Sequence, residues 1–227
     1  HAVLHLDRTD GSRRLDGRDG DPGFEGMGGP GTEEPDGHFV GWAPGRGPIV
    51  SADGRPWRLA RGTDLVLELH LITGDQVQPQ TVMPAVALFF GEPPSLDAPV
   101  MMKMGDTPID IPPGSRDFVM PDTFDLPVDV QLLSLYPHAH YLGREMLVRA
   151  RLPNGVERQL LHIKRWSFHW QQDYQFVKPV ALAQGTVIDL RFTYDNSAGN
   201  PDNPGNPPVR VRVGSRSRDE MANAGFL

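Results

Sequence analysis

No cysteine occurs among the 227 residues. Disulfides, thiolate metal sites and cysteine nucleophiles are therefore all excluded, and any metal would have to be held by His, Met or carboxylate. Positive charge is also in short supply. The net charge of −7 leaves no clustered Lys/Arg surface of the kind that releases counterions from phosphate, so no nucleic-acid partner is expected. No apolar run approaches the ~20 residues that a membrane-spanning helix requires, and the chain does not open on the basic-then-apolar layout of a signal peptide. No membrane span is expected. Nor does an apolar period of 3.6 residues persist over a dozen positions anywhere, which argues against long helices.

What the sequence does have is punctuation and alternation. With 25 glycines, 23 prolines and a hydrophobic share of 38%, it reads as a folded, loop-rich chain of short strands. The class is all-β, and the length suits two sandwiches of roughly 100 residues each, of jelly-roll type. His1 to Asp7 alternates, with Ala2, Leu4 and Leu6 on one face. A Gly/Asp/Pro-rich loop follows to about Gly37, and strands are expected at 65–72 and 85–90, with turns at Pro44-Gly45, Gly47-Pro48 and Asp53-Gly54. Composition shifts across 105–114, which sets the boundary near Asp106 and gives domains 1–106 and 107–227. Beyond it, a strand series starts at about Phe118. Residues 146–152 and 156–163 flank Asn154-Gly155, a strong hairpin signal because both residues tolerate positive φ. Residues 186–194 and 209–213 alternate as half-exposed antiparallel strands. The chain begins on His rather than Met, which is expected of a processed form or of a segment cut from something longer.

The chemistry concentrates in Pro137-His138-Ala139-His140 at the end of a strand. A spacing of two puts both imidazoles on one side, about 6.6 Å apart along the backbone, so they can converge on one ion. A third ligand would decide which ion. Asp219-Glu220 would suggest zinc or iron, and the soft thioether of Met221 would select Cu(I). Spacing alone does not choose between them.

The order of PHAHYLG, WSFHWQQDY, YDNSAGNPDNP and the closing DEM is similar to the catalytic domain of the copper type II, ascorbate-dependent monooxygenases. That family includes the peptidylglycine alpha-hydroxylating and dopamine beta-monooxygenases. The resemblance implies that His138, His140 and Met221 hold the copper where oxygen and substrate meet. It implies that a bound copper would hydroxylate a C–H bond of a small substrate, using O2 and a one-electron donor such as ascorbate. It also implies a second, electron-storage copper in the first domain, held by two adjacent histidines and a third on a later strand. The segment LVLELH resembles the strand bearing the third, His70, and HAVLHLD resembles the strand on which His1 is the second of the adjacent pair. The first of that pair would precede His1, so the first domain is expected to be truncated at its N-terminus and its copper site incomplete in this chain.

The chain departs from the family at two points. Tyr136 stands where peptidylglycine hydroxylation uses a basic residue, so peptide amidation is not expected. The lack of cysteine departs from the disulfide-bonded animal enzymes and suggests a bacterial member working in the periplasm or outside the cell. The alternative function is a non-catalytic copper-binding or redox module that keeps the fold. A competing arrangement, a copper brace on a terminal His1 as in lytic polysaccharide monooxygenases, would leave His138, His140 and Met221 unexplained.

The remaining candidates read as structural. His5 shares a strand face with His1 but sits ~13 Å along it, which suits a supporting role. His169 is expected to be a packed or hydrogen-bonded core histidine, and His162 a structural residue of the hairpin. His38 is a weaker candidate for lining the first site. Met101, Met102 and Met104 suit adaptable packing. The Asx residues of 195–206 are expected to make turns, with calcium binding as the alternative.

Overall fold

The computed structural model describes all residues except 27–28, 44–45, 52–54, 72–77, 94–98 and 106–107. The described residues form fourteen strands and no helix, in antiparallel sheets. None of them belongs to a helix long and apolar enough to cross a membrane. The chain divides into two compact units, His1–Val100 and Met101–Leu227. The turns expected at Pro44-Gly45 and Asp53-Gly54, the end of the 65–72 strand and the boundary residue Asp106 lie outside the described residues.

The first unit is built on β1 (Ala2–Asp7). It pairs on one edge with β2 (Thr32–Glu33) and β3 (Gly41–Trp42), and along its whole length on the other with β4 (Asp64–Leu69). The alternation of β1 buries Leu4 and Leu6, at 4% and 0% exposure, and ends on the buried Asp7. Residues 85–90, expected as a strand, pair with none of the described strands, and Phe89 and Phe90 are 90% and 81% exposed. Apolar alternation describes a surface that suits a sheet, but a strand exists only where a ladder satisfies its backbone.

The second unit holds the main core. Its strands are β5 (Met102–Met104), β6 (Asp110–Ile111), β7 (Phe118–Asp125), β8 (Val130–His138), β9 (Gly143–Arg151), β10 (Glu157–Ile163), β11 (Tyr174–Leu182), β12 (Val187–Tyr194), β13 (Val211–Arg212) and β14 (Asn223–Phe226). They form two four-stranded sheets, β10-β9-β12-β7 and β11-β8-β14-β5, with β6 and β13 as a separate pair. One apolar cluster draws on both four-stranded sheets, as in a β-sandwich. The period of two is cleanest on β12, where Ile188, Leu190, Phe192 and Tyr194 are at most 1% exposed while Arg191 faces out. Each such buried apolar side chain contributes ~1.5–3 kcal/mol. Met102 and Met104 pack on this core from β5, which accounts for the methionine cluster.

The hairpin β9–β10 forms where the Asn-Gly signal expects it, with a different turn. Leu152 pairs with Val156 around the three residues Pro153, Asn154 and Gly155, and only Gly155 has positive φ, at 81°. The Asn154 side chain instead accepts the Val156 N–H at 3.1 Å. Proline at the second turn position sets the three-residue form over the two-residue one. At the far end, the expected 209–213 strand shortens to Val211–Arg212, with Val209 and Val213 both 58% exposed.

Candidate metal centre

β8, an inner strand between β11 and β14, ends on His138, and His140 follows two residues beyond it. Its ladder with β11 reaches Leu135, so the missing N–H of Pro137 falls beyond that pairing. On the other side β14 pairs Asn223 with His138 and Ala224 with Pro137. Extended two residues, that register would set Met221 opposite His140, but the pairing itself ends at Asn223.

The two imidazoles meet edge to face with ring centroids 5.2 Å apart, as the spacing of two requires. Each is held through Nδ1. His140 Nδ1 lies 3.0 Å from the Asp219 carbonyl oxygen, and His138 Nδ1 lies 2.6 Å from Gln171 Oε1. A carbonyl oxygen only accepts, so Nδ1 is the donor in both rings, and in a neutral ring Nε2 is then the nitrogen with the lone pair. Fixing tautomer and ring angle through the second nitrogen is how metal-binding histidines are oriented. His140 is 4% exposed and packs its ring edge to face on Phe168 at 5.7 Å, while His138 is half-buried.

Glu220, fully buried, is no ligand in this arrangement. Its Oε2 accepts the N–H groups of His140 at 2.7 Å and Met221 at 2.9 Å, and its Oε1 accepts that of Leu142 at 2.7 Å. Burial pushes its carboxyl up to about 7, with backbone N–H bonds from His140, Met221, Leu142 and Gly143 pulling the other way. Asp219 holds its own turn, its Oδ2 accepting the Arg216 N–H at 3.2 Å. The two carboxylates weighed as ligands are thus engaged in shaping the loop. Met221 is half-buried, and its carbonyl accepts the Tyr194 hydroxyl at 2.6 Å. The Tyr194 phenol is raised well above its usual value, first by burial and then by the Glu220 charge.

The family-like motifs also touch one another. Trp166 donates its indole N–H to the His140 carbonyl at 3.0 Å. A Cβ on Gly143 would lie 2.7 Å from the Trp166 ring and 3.1 Å from Ala139, so glycine lets that indole approach. Trp166 and Gln171 both lie within the WSFHWQQDY stretch, but neither spacing nor period marks them out. His169, expected in a core, is exposed and lies against the rings of Tyr141 and Phe168 at 5.8 and 5.6 Å. Its aromatic neighbours are themselves only half-buried, which a run of aromatics in the sequence does not reveal.

In the first unit the β1–β4 register brings His1 and His70 together. The His70 N–H donates to the His1 carbonyl at 2.9 Å, and the two rings lie 4.2 Å apart. Glu68 bonds both His70 Nε2 and, at 3.0 Å, His5 Nε2. A carboxylate only accepts, so Nε2 of each histidine is the donor to Glu68. His5 therefore supports His70 through Glu68, in keeping with its distance from His1 along the strand. His38 is buried with Nδ1 on the Asp36 carbonyl at 2.7 Å, and His162 bonds Glu145 at 2.6 Å. In the 195–206 loop, Asn196 spans three carbonyls, while the side-chain oxygens of Asp195, Asn200 and Asn203 each accept a backbone N–H two residues on. These are turn-making contacts.

Among the described residues, no group of three or more His, Cys, Asp or Glu is placed to hold a metal ion. A three-ligand centre drawn from the described residues would need another donor such as methionine. No protein-family model and no curated protein matches this chain.

Proposed function

We propose that this chain is a copper-dependent monooxygenase of the type II, ascorbate-dependent kind, hydroxylating a C–H bond of a small substrate with O2 and a one-electron donor. The observation that carries the reading is the pair of Nδ1 contacts, from His138 to Gln171 and from His140 to Asp219, which would make Nε2 the ligating atom of each ring. His138, His140 and Met221 would hold the copper, and bound copper would supply the redox chemistry with O2. The chain's own contribution is to fix the two imidazoles, to offer a soft thioether that favours Cu(I), and to pack Phe168 against His140 so that water has less access.

The same reading puts a second, electron-storing copper at His1 and His70, takes each unit as a jelly-roll sandwich, and assigns the chain to a bacterial-type enzyme acting in the periplasm or outside the cell. Tyr136, uncharged and half-buried on β8, speaks for a substrate without a carboxylate to be held there.

The test is oxygen uptake by dialysed, copper-loaded protein supplied with ascorbate. The expected result is copper retained and uptake above that of free copper, abolished in Met221→Leu. Copper retained without uptake would favour a redox or copper-binding module. Zinc retained and copper lost would overturn the reading.

A further inference from the structure

We infer that Glu220, together with Tyr194, is the positioning device of the metal centre, holding the backbone of Met221 beside that of His140 so that thioether and imidazole serve one ion. The inference rests on the proposed copper site, and its ground is geometric. A single carboxylate oxygen of Glu220 accepts the N–H of His140 at 2.7 Å and that of Met221 at 2.9 Å. Two amides bonded to one oxygen are held within a few ångströms of each other, although 80 residues separate Glu220 from His140. The second oxygen takes the Leu142 N–H at 2.7 Å, which stops the carboxylate from turning. Tyr194, on β12 of the opposite sheet, donates its hydroxyl to the Met221 carbonyl at 2.6 Å. Both backbone polar groups of Met221 are therefore tied to fully buried side chains.

A buried carboxylate is costly to desolvate and is kept only where donors converge on it. Here the donors are backbone amides of the two segments that carry the proposed ligands. The β14 ladder alone does not do this, because its pairing with β8 runs from Phe226 to Asn223 and stops short of Met221. Glu220 thus continues by a side chain the register that the strands abandon, and Tyr194 fixes the same residue from the other side of the sandwich.

Glu220→Gln keeps the shape and replaces one acceptor by an amide NH2 that faces backbone N–H groups. Tyr194→Phe removes only the hydroxyl. Each variant, and the otherwise wild-type chain, carries His70→Ala to silence the proposed first-unit site, is loaded anaerobically with one equivalent of Cu(I) as the full chain, isolated as folded protein, and measured by X-ray absorption and by competition with a Cu(I) chelator. The wild type should show two histidine scatterers and one sulfur. Glu220→Gln should keep the histidines, lose or weaken the sulfur, and bind Cu(I) roughly 10–100-fold less tightly. Tyr194→Phe should move in the same direction by less. A merely structural role would lower the melting temperature and leave the ligand set of the folded molecules as in the wild type. If Glu220→Gln does not fold, Tyr194→Phe decides alone. Folded variants with wild-type sulfur signal and Cu(I) affinity overturn the positioning role. A wild type without sulfur overturns the metal-centre reading instead.

Discussion

Gln171 Oε1 lies 2.6 Å from Nδ1 of His138, and the Gln171 amide nitrogen donates to the Phe168 carbonyl at 2.9 Å. With its NH2 committed to a carbonyl, the Oε1 end must be the acceptor, so the amide orientation and the imidazole tautomer fix each other. Gln171 is 4% exposed, and water is a poor substitute there. Gln171→Leu should therefore free the His138 ring to turn, lowering Cu(I) affinity roughly 10–100-fold with a stability loss of about 1–3 kcal/mol from the unsatisfied donor. Chelator competition beside thermal unfolding checks both. Unchanged affinity in a folded variant would show that His138 is not oriented for a ligand's task.

Asn196, fully buried, donates through Nδ2 to the carbonyls of Ile111, Pro112 and Val209, and its Oδ1 accepts from Asn203 at 3.0 Å. Asn196→Ala strands these acceptors and should cost roughly 2–4 kcal/mol, read from the urea midpoint. Added calcium should leave the wild-type midpoint where it is. A calcium-dependent rise would make the loop a cation site after all.

The first unit has its own acid-sensitive group. Asp7 accepts the N–H groups of Ser12 at 2.6 Å and Thr9 at 2.7 Å, with the Thr9 hydroxyl also at 2.7 Å. These bonds, Ser12 first, hold its carboxyl well below the ordinary value of 3.8. A depressed folded value means that the unfolded chain takes up the proton first. The stabilisation is thus complete above 3.8 and is lost as pH falls toward the folded value. The urea midpoint of the first unit should hold down to about pH 4 and drop as pH is lowered further, and Asp7→Asn should be weaker at neutral pH and flatter across that acid range. Equal slopes would place the acid sensitivity elsewhere.

What could be seen in the sequence follows from the range of the interaction. Alternation is local, so β12 and β1 bury the residues their pattern marks, and the hairpin at Asn154-Gly155 forms even though its turn is of another type. The nearness of His138 and His140 follows their spacing of two, but β8 ends at His138 and the His140 ring is placed by Asp219 and Glu220 from far along the chain. The failure at 85–90 has the opposite cause, because a strand needs a partner and alternation says nothing about where the partner is. The work of Glu220 was invisible for the same reason. Beside Met221 in the sequence it looks like a ligand, and only the fold brings it to the amides of His140 and Leu142. Gln171 likewise reaches His138 across 33 positions, with no period to announce it.

Met221 provides the sharpest test, because both of its described hydrogen bonds are made by its backbone: its N–H donates to Glu220 and its carbonyl accepts from Tyr194. The side chain can therefore be exchanged with the anchor intact. Met221→His should keep copper bound, since imidazole is also a ligand, but should bias it toward Cu(II) because imidazole is a harder donor than thioether. Turnover with O2 and ascorbate should fall at least tenfold, about 1.4 kcal/mol in the barrier, while copper content stays near that of the wild type. Electron paramagnetic resonance of the ascorbate-treated protein should show more residual Cu(II) than the wild type. If Met221 merely fills an apolar gap, the pattern reverses. Met221→Leu would then be neutral for stability and activity alike, as volume-conserving swaps usually are, and Met221→His would cost stability without touching the copper signal. A Met221→Leu protein that turns over like the wild type would remove methionine from the centre and leave His138 and His140 in need of another partner.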